Sequence, residues 1–327
     1  MTVVFLTLLL SALLCFLFLR VARRWRIMDT PNERSSHALP TPHGGGVPLL
    51  VAFSIGLLVA SQVLGDWPGH YYTMALVAQL LMVLGVLDDL LDLAVGLRMA
   101  VYGLVSLFLT GILLEPLHLE GLMGWLLLGG TGFVVLWLLN LYNFMDGIDG
   151  IAALQTILAC SSAGLLTFFS SGEQPYTYYC LLLAAAHLGF LCWNWPPARL
   201  FMGDAGSVPT GFLVAFIAIE GFVQGWLNPL CWLILLAPFI TDATWTLLWR
   251  FFTRQPFTRP HRLHAYQRLS RHWDSHLRVD MLLLAVHALW LLPLAFVAQH
   301  WPAYGPIVVI LAYLPLLLGM TQIRGLA

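Results

Sequence analysis

Apolar segments long enough to cross a membrane recur along the whole chain, and they constrain its fold more than any other feature. A helix that crosses a bilayer needs roughly 20 predominantly apolar residues. Segments of about this length lie near residues 2–20, 47–65, 70–87, 99–114, 122–139, 151–169, 177–193, 207–225, 228–249, 279–299 and 302–320. Of the 327 residues, 60% are hydrophobic and 9% are charged, with a mean hydropathy of +0.83, which a water-soluble domain could not bury. The sequence therefore predicts an all-α, polytopic integral membrane bundle of about eleven transmembrane helices.

The basic residues predict how this bundle is oriented. All fifteen are arginines, and they follow the first, third, seventh, ninth and last apolar segments. The loops near 66–71, 115–121, 170–176 and 220–228 have none. By the positive-inside rule, the N-terminus lies outside and the C-terminus inside. We expect one transmembrane domain over 1–327, with polar cytoplasmic loops near 21–46, 88–98, 140–150, 194–207 and 250–278 as candidate active-site loops. The net charge of −1 gives no indication of a nucleic-acid partner.

The segment from Asn140 to Gly150 carries the strongest chemical signal. It reads Asn-Leu-Tyr-Asn-Phe-Met-Asp-Gly-Ile-Asp-Gly and follows an apolar run. Ionisable groups beside membrane-length runs usually mark functional sites. Asp146 and Asp149 are three residues apart, so both project from one face of a helix. Gly147 and Gly150 are expected to let a ligand approach the backbone. A polar turn capped by an aspartate is the alternative to a cation or phosphate site.

Three further carboxylates lie at predicted helix ends on the same side. Asp88 and Asp89 are adjacent like charges, which suit a shared Mg²⁺ ion or a general base. Asp204 stands between Gly203 and Gly206 at the start of the eighth apolar segment. There it could bind a metal ion while the helix N-terminus meets phosphate. A solvated helix end for the pair, and an N-cap for Asp204, are the structural alternatives.

The last long loop is rich in arginine and histidine. Residues 259–268 read Arg-Pro-His-Arg-Leu-His-Ala-Tyr-Gln-Arg. Such a cluster could hold the phosphates or sugar hydroxyls of a soluble substrate. The alternative is a basic segment that binds anionic lipid headgroups and sets the orientation. Because the polar groups gather at one face rather than at the midplane, an enzyme is favoured over a carrier.

With these motifs in this order, the chain resembles the polyprenyl-phosphate N-acetylhexosamine-1-phosphate transferases of glycosyltransferase family 4. The matching segments are Asp88-Asp89, Asn140 to Gly150, Asn194 to Ser207 and the histidine-bearing last loop. The resemblance implies transfer of a sugar 1-phosphate from a UDP-sugar to undecaprenyl phosphate in a bacterial cytoplasmic (inner) membrane. It also implies Mg²⁺, with Mn²⁺ as a substitute, and release of UMP. A homodimer is one assembly open to such a chain.

The resemblance also assigns roles to residues. Catalysis and metal binding carry over onto Asp88, Asp89 and Asp204. Substrate binding is expected from Asn143, Asp146, Asp149, Asn194, His37, Arg98, His261, Arg262 and His264. We expect Mg²⁺ at Asp204 and a member of the Asp pair acting on the lipid phosphate. Direct attack and a two-step route through an aspartyl-phosphate both remain open.

The chain differs from the peptidoglycan enzymes of this family, and the differences favour the surface-polysaccharide branch. Those enzymes have three consecutive histidines in the last loop and a lysine soon after the Asp pair. Here the loop reads His261-Arg-Leu-His264, Asp92 follows the pair, and lysine is absent. The Arg34-Ser-Ser-His37 pattern resembles enzymes that initiate O-antigen synthesis. The alternatives are a phospho-N-acetylmuramoyl-pentapeptide transferase and, from another class, a carrier of a lipid-linked or nucleotide sugar.

Overall fold

The computed structural model describes residues 1–30, 39–65, 67–118, 120–255 and 262–326, and long helices dominate it. The α-helices are α1 Thr2–Trp25, α2 Gly46–Leu64, α3 Gly69–Leu91, α4 Val95–Leu114, α5 Gly121–Met145, α6 Ile151–Ser170, α7 Gln174–Asn194, α8 Asp204–Val223, α9 Pro229–Leu235, α10 Ala237–Phe252, α11 Ala265–Trp273, α12 His276–Val286, α13 Leu292–His300 and α14 Gly305–Ile323. A π-helical turn, His287–Leu291, joins α12 to α13. Two short strands, β1 Met28–Asp29 and β2 Thr41–Pro42, pair antiparallel.

The length and apolarity of these helices fit a polytopic membrane protein. Ten helical segments are long and apolar enough to span a bilayer, and the bent pair α9–α10 brings the number to eleven within the described residues. The outer helices present apolar faces outward: only four of the nineteen residues of α14 are buried. The predicted all-α bundle of about eleven spans is confirmed. Which end faces the cytoplasm stays a prediction.

The ninth predicted span is broken rather than continuous. Its two halves, α9 and α10, meet at Leu236 with a bend of 71°. Pro238 causes the break, because proline has no N–H to donate to Ile234 and its ring clashes with the carbonyl one turn earlier. On either side the helical bonds resume, with the Leu236 N–H bound to Trp232 and the Ile240 N–H bound to Leu236. The bend places α10 beside α11 and α14 at the loop-rich end.

Helix α8 forms the centre of the bundle. Sixteen of its twenty residues are buried. Its first turn is in close contact with α2 and α3: a Cβ on Gly46 would lie 2.2 Å from the Gly206 Cα, and one on Gly85 would lie 2.5 Å from the Ala205 nitrogen. Only glycine permits backbones to approach this closely. The N-terminus of α8, with Asp204, is therefore fixed against the ends of two neighbouring helices.

The loop that precedes α8 is tied to the end of the first long loop. The Phe201 N–H donates to the Pro42 carbonyl at 2.8 Å, and the Gly45 N–H donates to the Phe201 carbonyl at 2.8 Å. A third bond joins the Gly46 N–H to the Met202 carbonyl at 3.0 Å. These backbone bonds bring His43 and Asp204 to the same end of the bundle.

Candidate active site

A polar cavity of about 520 Å³ opens at the loop-rich end of the bundle. Each of the five predicted active-site loops contributes to it. Its walls are formed by Met28, Asp29, Thr30, His43, Asp89, Asn143, Asp146, Gly147, Ile148, Asp149, Asn194, Phe201, Met202, Gly203, Asp204, Gln267 and His276. The sequence-based expectation that these loops meet on one face therefore agrees with the structure.

Asp204 is the best-connected carboxylate of the cavity. The Asn143 amide, at the end of α5, donates to Asp204 Oδ1 at 2.7 Å and to Ser207 Oγ at 3.2 Å. Arg98 Nη1 lies 3.4 Å from Asp204 Oδ2 and also donates to Asp88 Oδ2. One guanidinium thus lies between two carboxylates from α3 and α8. Such bonds between charged groups fix both partners more strongly than neutral ones.

The adjacent aspartates Asp88 and Asp89 have different surroundings. Asp88 is buried, accepts the Leu93 N–H at 3.0 Å and binds Arg98, so its oxygens face α4 rather than the cavity. Asp89 lines the cavity, and its Oδ2 lies 3.5 Å from His43 Nδ1. The hydrogen bond to Asp89 raises the pKa of His43 above its usual value, partly opposed by burial. Of the pair, Asp89 is therefore the one placed to meet a substrate.

Asp146 and Asp149 lie in the turn between α5 and α6, not on one face of a helix as the sequence predicted, and their surroundings differ. Burial raises the pKa of Asp146 well above its usual value, and the charges of Asp204 and Asp149 add to the effect. The carboxylate of Asp149 has two partners: its Oδ2 accepts the Ala198 N–H at 3.0 Å and lies 3.3 Å from His276 Nδ1. Asp149 thus links the loop after α5 to the loop after α7 and to the start of α12.

Asn194 and two glycines hold the Asn140–Gly150 segment in place. The Gly150 N–H donates to Asn194 Oδ1 at 3.0 Å. A Cβ on Gly150 would lie 2.6 Å from Asp280 Oδ2, and one on Gly147 would lie 2.1 Å from the Tyr266 hydroxyl. A side chain at either position would therefore collide with α11 or α12, so both glycines permit this packing. Gly147 also lines the cavity, where its backbone can be approached by a ligand.

The residues predicted in the last loop separate into three groups. Arg262 lines a second cavity of about 470 Å³, which shares Asp149 and His276 with the first. His264 lies elsewhere: it is buried, and its Nδ1 is 3.1 Å from Asp242 Oδ1. The same carboxylate accepts the Ala265 N–H at 2.9 Å, so His264 and Asp242 together anchor the start of α11. The predicted residues His37 and His261 lie outside the described residues.

Several cavity residues were not predicted as site residues, among them His43, Gln267 and His276. His43 follows a proline-rich segment and precedes three glycines, just before α2 begins. Gln267 is buried beside Gly147, and its Oε1 has no hydrogen-bond partner. His276 follows Ser275, whose hydroxyl caps α12 by accepting the Arg278 N–H at 3.3 Å. All three lie in loops that the sequence predicts to be cytoplasmic, but no motif in the sequence singles them out.

The donor set of the cavity fits a hard cation. Asp89 and Asp204 both line the cavity, so each can offer carboxylate oxygens to a cation. Mg²⁺ prefers oxygen ligands and commonly takes one or two carboxylates together with substrate phosphates. In the described part of the chain, no three His, Cys, Asp or Glu side chains already form a metal-binding group. Asp89 faces His43, so a complete set would need phosphate oxygens or a turn of that side chain.

Comparison with known proteins agrees with this geometry. The sequence profile described as glycosyl transferase family 4 matches residues 71–222, which include the Asp pair, the Asn140–Gly150 segment and Asp204. The match covers just under half of the chain and includes the polar residues at the loop-rich end of α3, α5 and α8. Gln267 and His276 lie beyond the matched segment, so one wall of the cavity comes from outside it.

Three relatives show the breadth of the similarity. The probable undecaprenyl-phosphate N-acetylglucosaminyl 1-phosphate transferase of Bacillus subtilis (strain 168) is 27% identical over 274 residues, 81% of this chain and 75% of that protein. The undecaprenyl-phosphate α-N-acetylglucosaminyl 1-phosphate transferase of Yersinia pestis is 29% identical, over 66% and 62%. The decaprenyl-phosphate N-acetylglucosaminephosphotransferase of Mycolicibacterium smegmatis is 29% identical, over 88% and 78%. The resemblance to polyprenyl-phosphate N-acetylhexosamine-1-phosphate transferases is confirmed.

Proposed function

We propose that this protein transfers an N-acetylhexosamine 1-phosphate from a UDP-sugar to undecaprenyl phosphate and releases UMP. The reaction takes place at the cytoplasmic face of a bacterial inner membrane, where it initiates O-antigen or a related surface polysaccharide. The names of the relatives support the acceptor and the transferred group. The observation that carries the proposal is the Asp89, Asp204 and Asn143 cavity at the ends of membrane-spanning helices.

The acidic residues of this cavity suit a diphosphate only together with a cation. A diphosphate would be repelled by Asp89, Asp146 and Asp204 at close range. Mg²⁺ held by Asp204, with Asp89 nearby, would supply positive charge to the diphosphate oxygens. Arg98 already contacts both Asp88 and Asp204, so it can share in offsetting the negative charge of the phosphates.

Asp89 is the residue placed to act on the acceptor. It lines the cavity beside His43, and the two side chains can orient the lipid phosphate or accept its proton. In direct transfer, an oxygen of that phosphate forms a bond to the phosphorus that carries the sugar. The bond from this phosphorus to the UMP oxygen breaks, and UMP leaves with the electron pair. An aspartyl-phosphate route would use the same residues in two such displacements.

The donor sugar is best matched by the wall from the last loop. Gln267 and His276 are the cavity residues from this part of the chain, and their amide and imidazole groups can form hydrogen bonds with sugar hydroxyls. The second cavity adds Arg262, whose guanidinium suits a phosphate or hydroxyl of the sugar nucleotide. Arginine alone would suit only a phosphate. Arg262 together with the amide of Gln267 and the imidazole of His276 suits a sugar that is bonded to a phosphate.

The test is UMP formation by the purified protein with undecaprenyl phosphate and a panel of UDP-sugars. We expect UMP only when an N-acetylhexosamine donor, the acceptor and a divalent cation are all present. Preferential use of UDP-N-acetylmuramoyl-pentapeptide would instead make the protein a peptidoglycan enzyme. Uptake of the sugar nucleotide into vesicles without UMP would make it a carrier. Either result would refute the proposal.

A further inference from the structure

A smaller polar cleft lies apart from both cavities described above. It encloses about 180 Å³ between α10, α11 and the end of α14. Arg268 and Arg324 line it, together with Trp245 and Trp249. The Arg324 guanidinium carbon lies 3.1 Å from the centroid of the Trp249 ring, a cation–π contact that holds the charge at the cleft. None of the residues lining this cleft also lines the 520 Å³ cavity.

Within the described residues, no acidic side chain pairs with the arginines of this cleft. Arg268 donates to backbone carbonyls: Nε to Leu263 at 3.2 Å, and Nη1 to Arg324 and Leu326 at 3.1 Å each. Among the described residues, neither Arg268 nor Arg324 pairs with a carboxylate. The cleft lining likewise contains no aspartate or glutamate. Two fixed guanidinium groups in these surroundings favour an anion with oxygen acceptors, such as a phosphate.

An apolar cavity continues from the cleft into the bundle. It measures about 430 Å³ and shares three wall residues with the cleft: Ala265, Met320 and Ile323. The remaining wall is mostly aliphatic and aromatic, with side chains such as Leu283 and Leu316. A basic, tryptophan-lined opening that leads into an apolar space matches an amphiphile with a phosphate head and hydrocarbon chains. Tryptophan and arginine are also the side chains that favour the membrane–water boundary.

We propose that this cleft and cavity together bind an anionic membrane phospholipid. Arg268 and Arg324 hold its headgroup phosphate, and the apolar cavity takes part of its chains. Because the headgroup is held outside the cavity of Asp89 and Asp204, this lipid is a bound component of the protein and not the reacting acceptor. By joining α10, α11 and α14, it stabilises the helix that supplies Gln267 to the active-site wall.

The test is direct binding of phosphatidylglycerol to the purified, delipidated protein, followed by native mass spectrometry. Arg324→Gln removes one headgroup contact and should weaken binding about ten- to hundredfold. Arg20→Gln is the matched control, since Arg20 also makes a cation–π contact, 4.3 Å from the Phe16 ring, but lines neither cavity. Gly319→Leu fills the apolar cavity without a clash, because a Cβ there meets no atom within 4 Å.

The expected result is tight phosphatidylglycerol binding by the wild type and Arg20→Gln, and weaker binding by Arg324→Gln and Gly319→Leu. Equal binding by the wild type and Arg324→Gln would overturn the headgroup assignment. Equal affinity of the wild type for phosphatidylcholine would show that the charge is not recognised. If inorganic phosphate displaced the lipid at similar concentrations and Gly319→Leu bound normally, the cleft would be an anion site without a lipid.

Discussion

Replacing Asp204 with asparagine tests the assignment on which the proposed chemistry depends most. The substitution keeps the side-chain volume and an acceptor oxygen for the Asn143 amide, which donates at 2.7 Å. It removes the negative charge that faces Arg98 at 3.4 Å and that would hold Mg²⁺. Each lost charged contact costs about 1.5–3 kcal/mol, so two cost about 3–6 kcal/mol. At about 1.4 kcal/mol per tenfold change in rate, turnover should fall about 10²–10⁴-fold.

The assay compares UMP release and thermal unfolding for Asp204→Asn and a matched variant, Asp92→Asn. Asp92 is exposed at the end of α3, where its φ of 50° is a conformation that asparagine also tolerates. We expect Asp92→Asn to be fully active, and Asp204→Asn to be nearly inactive with an unchanged or higher Tm. Near-normal turnover of Asp204→Asn at ordinary Mg²⁺ concentrations would refute the assignment of Asp204 as a metal ligand.

Four further predictions address other parts of the account. Arg262→Ala should raise the KM for the UDP-sugar about ten- to hundredfold and leave the acceptor KM unchanged; an effect on the acceptor alone would contradict its role. His264→Ala should lower the free energy of unfolding by about 1.5–3 kcal/mol without changing the UDP-sugar KM, because it loses the bond to a buried carboxylate; a raised KM and normal stability would contradict this. Asp146→Asn should be more stable than the wild type, and the difference in the free energy of unfolding should grow as the pH rises above about 4. The reason is that the pKa of Asp146 is raised in the folded state, so ionisation of this carboxyl destabilises the folded wild type. A difference that does not depend on pH would contradict this prediction. A tag near Glu173 should be exposed on intact cells and one after Arg324 shielded, and the reverse would refute the predicted orientation.

The sequence predicts the spans well because their physics is local. Each apolar run must satisfy its backbone hydrogen bonds within the membrane, so length and composition suffice to identify a helix. The break at Leu236 was missed, although Pro238 was visible, because prolines within membrane spans often only bend a helix. The role of His264 was missed for a different reason. Its partner Asp242 lies 22 residues earlier and was hidden inside a predicted span.

The site could be predicted as a set of loops but not as a set of contacts. Asp89 and Asp204 were identified because carboxylates beside apolar runs are unusual. The sequence could not show that Asp88 faces Arg98 while Asp89 faces the cavity, since that depends on the side of α3 that packs against α4. His276 and Gln267 reach the cavity through the packing of α11 and α12, which no spacing in the sequence reveals.

The central claim is that a sugar 1-phosphate, and not the sugar alone, passes to the lipid. The most direct measurement supplies UDP-N-acetylhexosamine labelled at the phosphorus attached to the sugar, together with undecaprenyl phosphate, to the purified protein. The account predicts that the label appears in the lipid product and that unlabelled UMP forms in equal amount. Label retained in released UDP would show transfer of the sugar alone and would contradict the account.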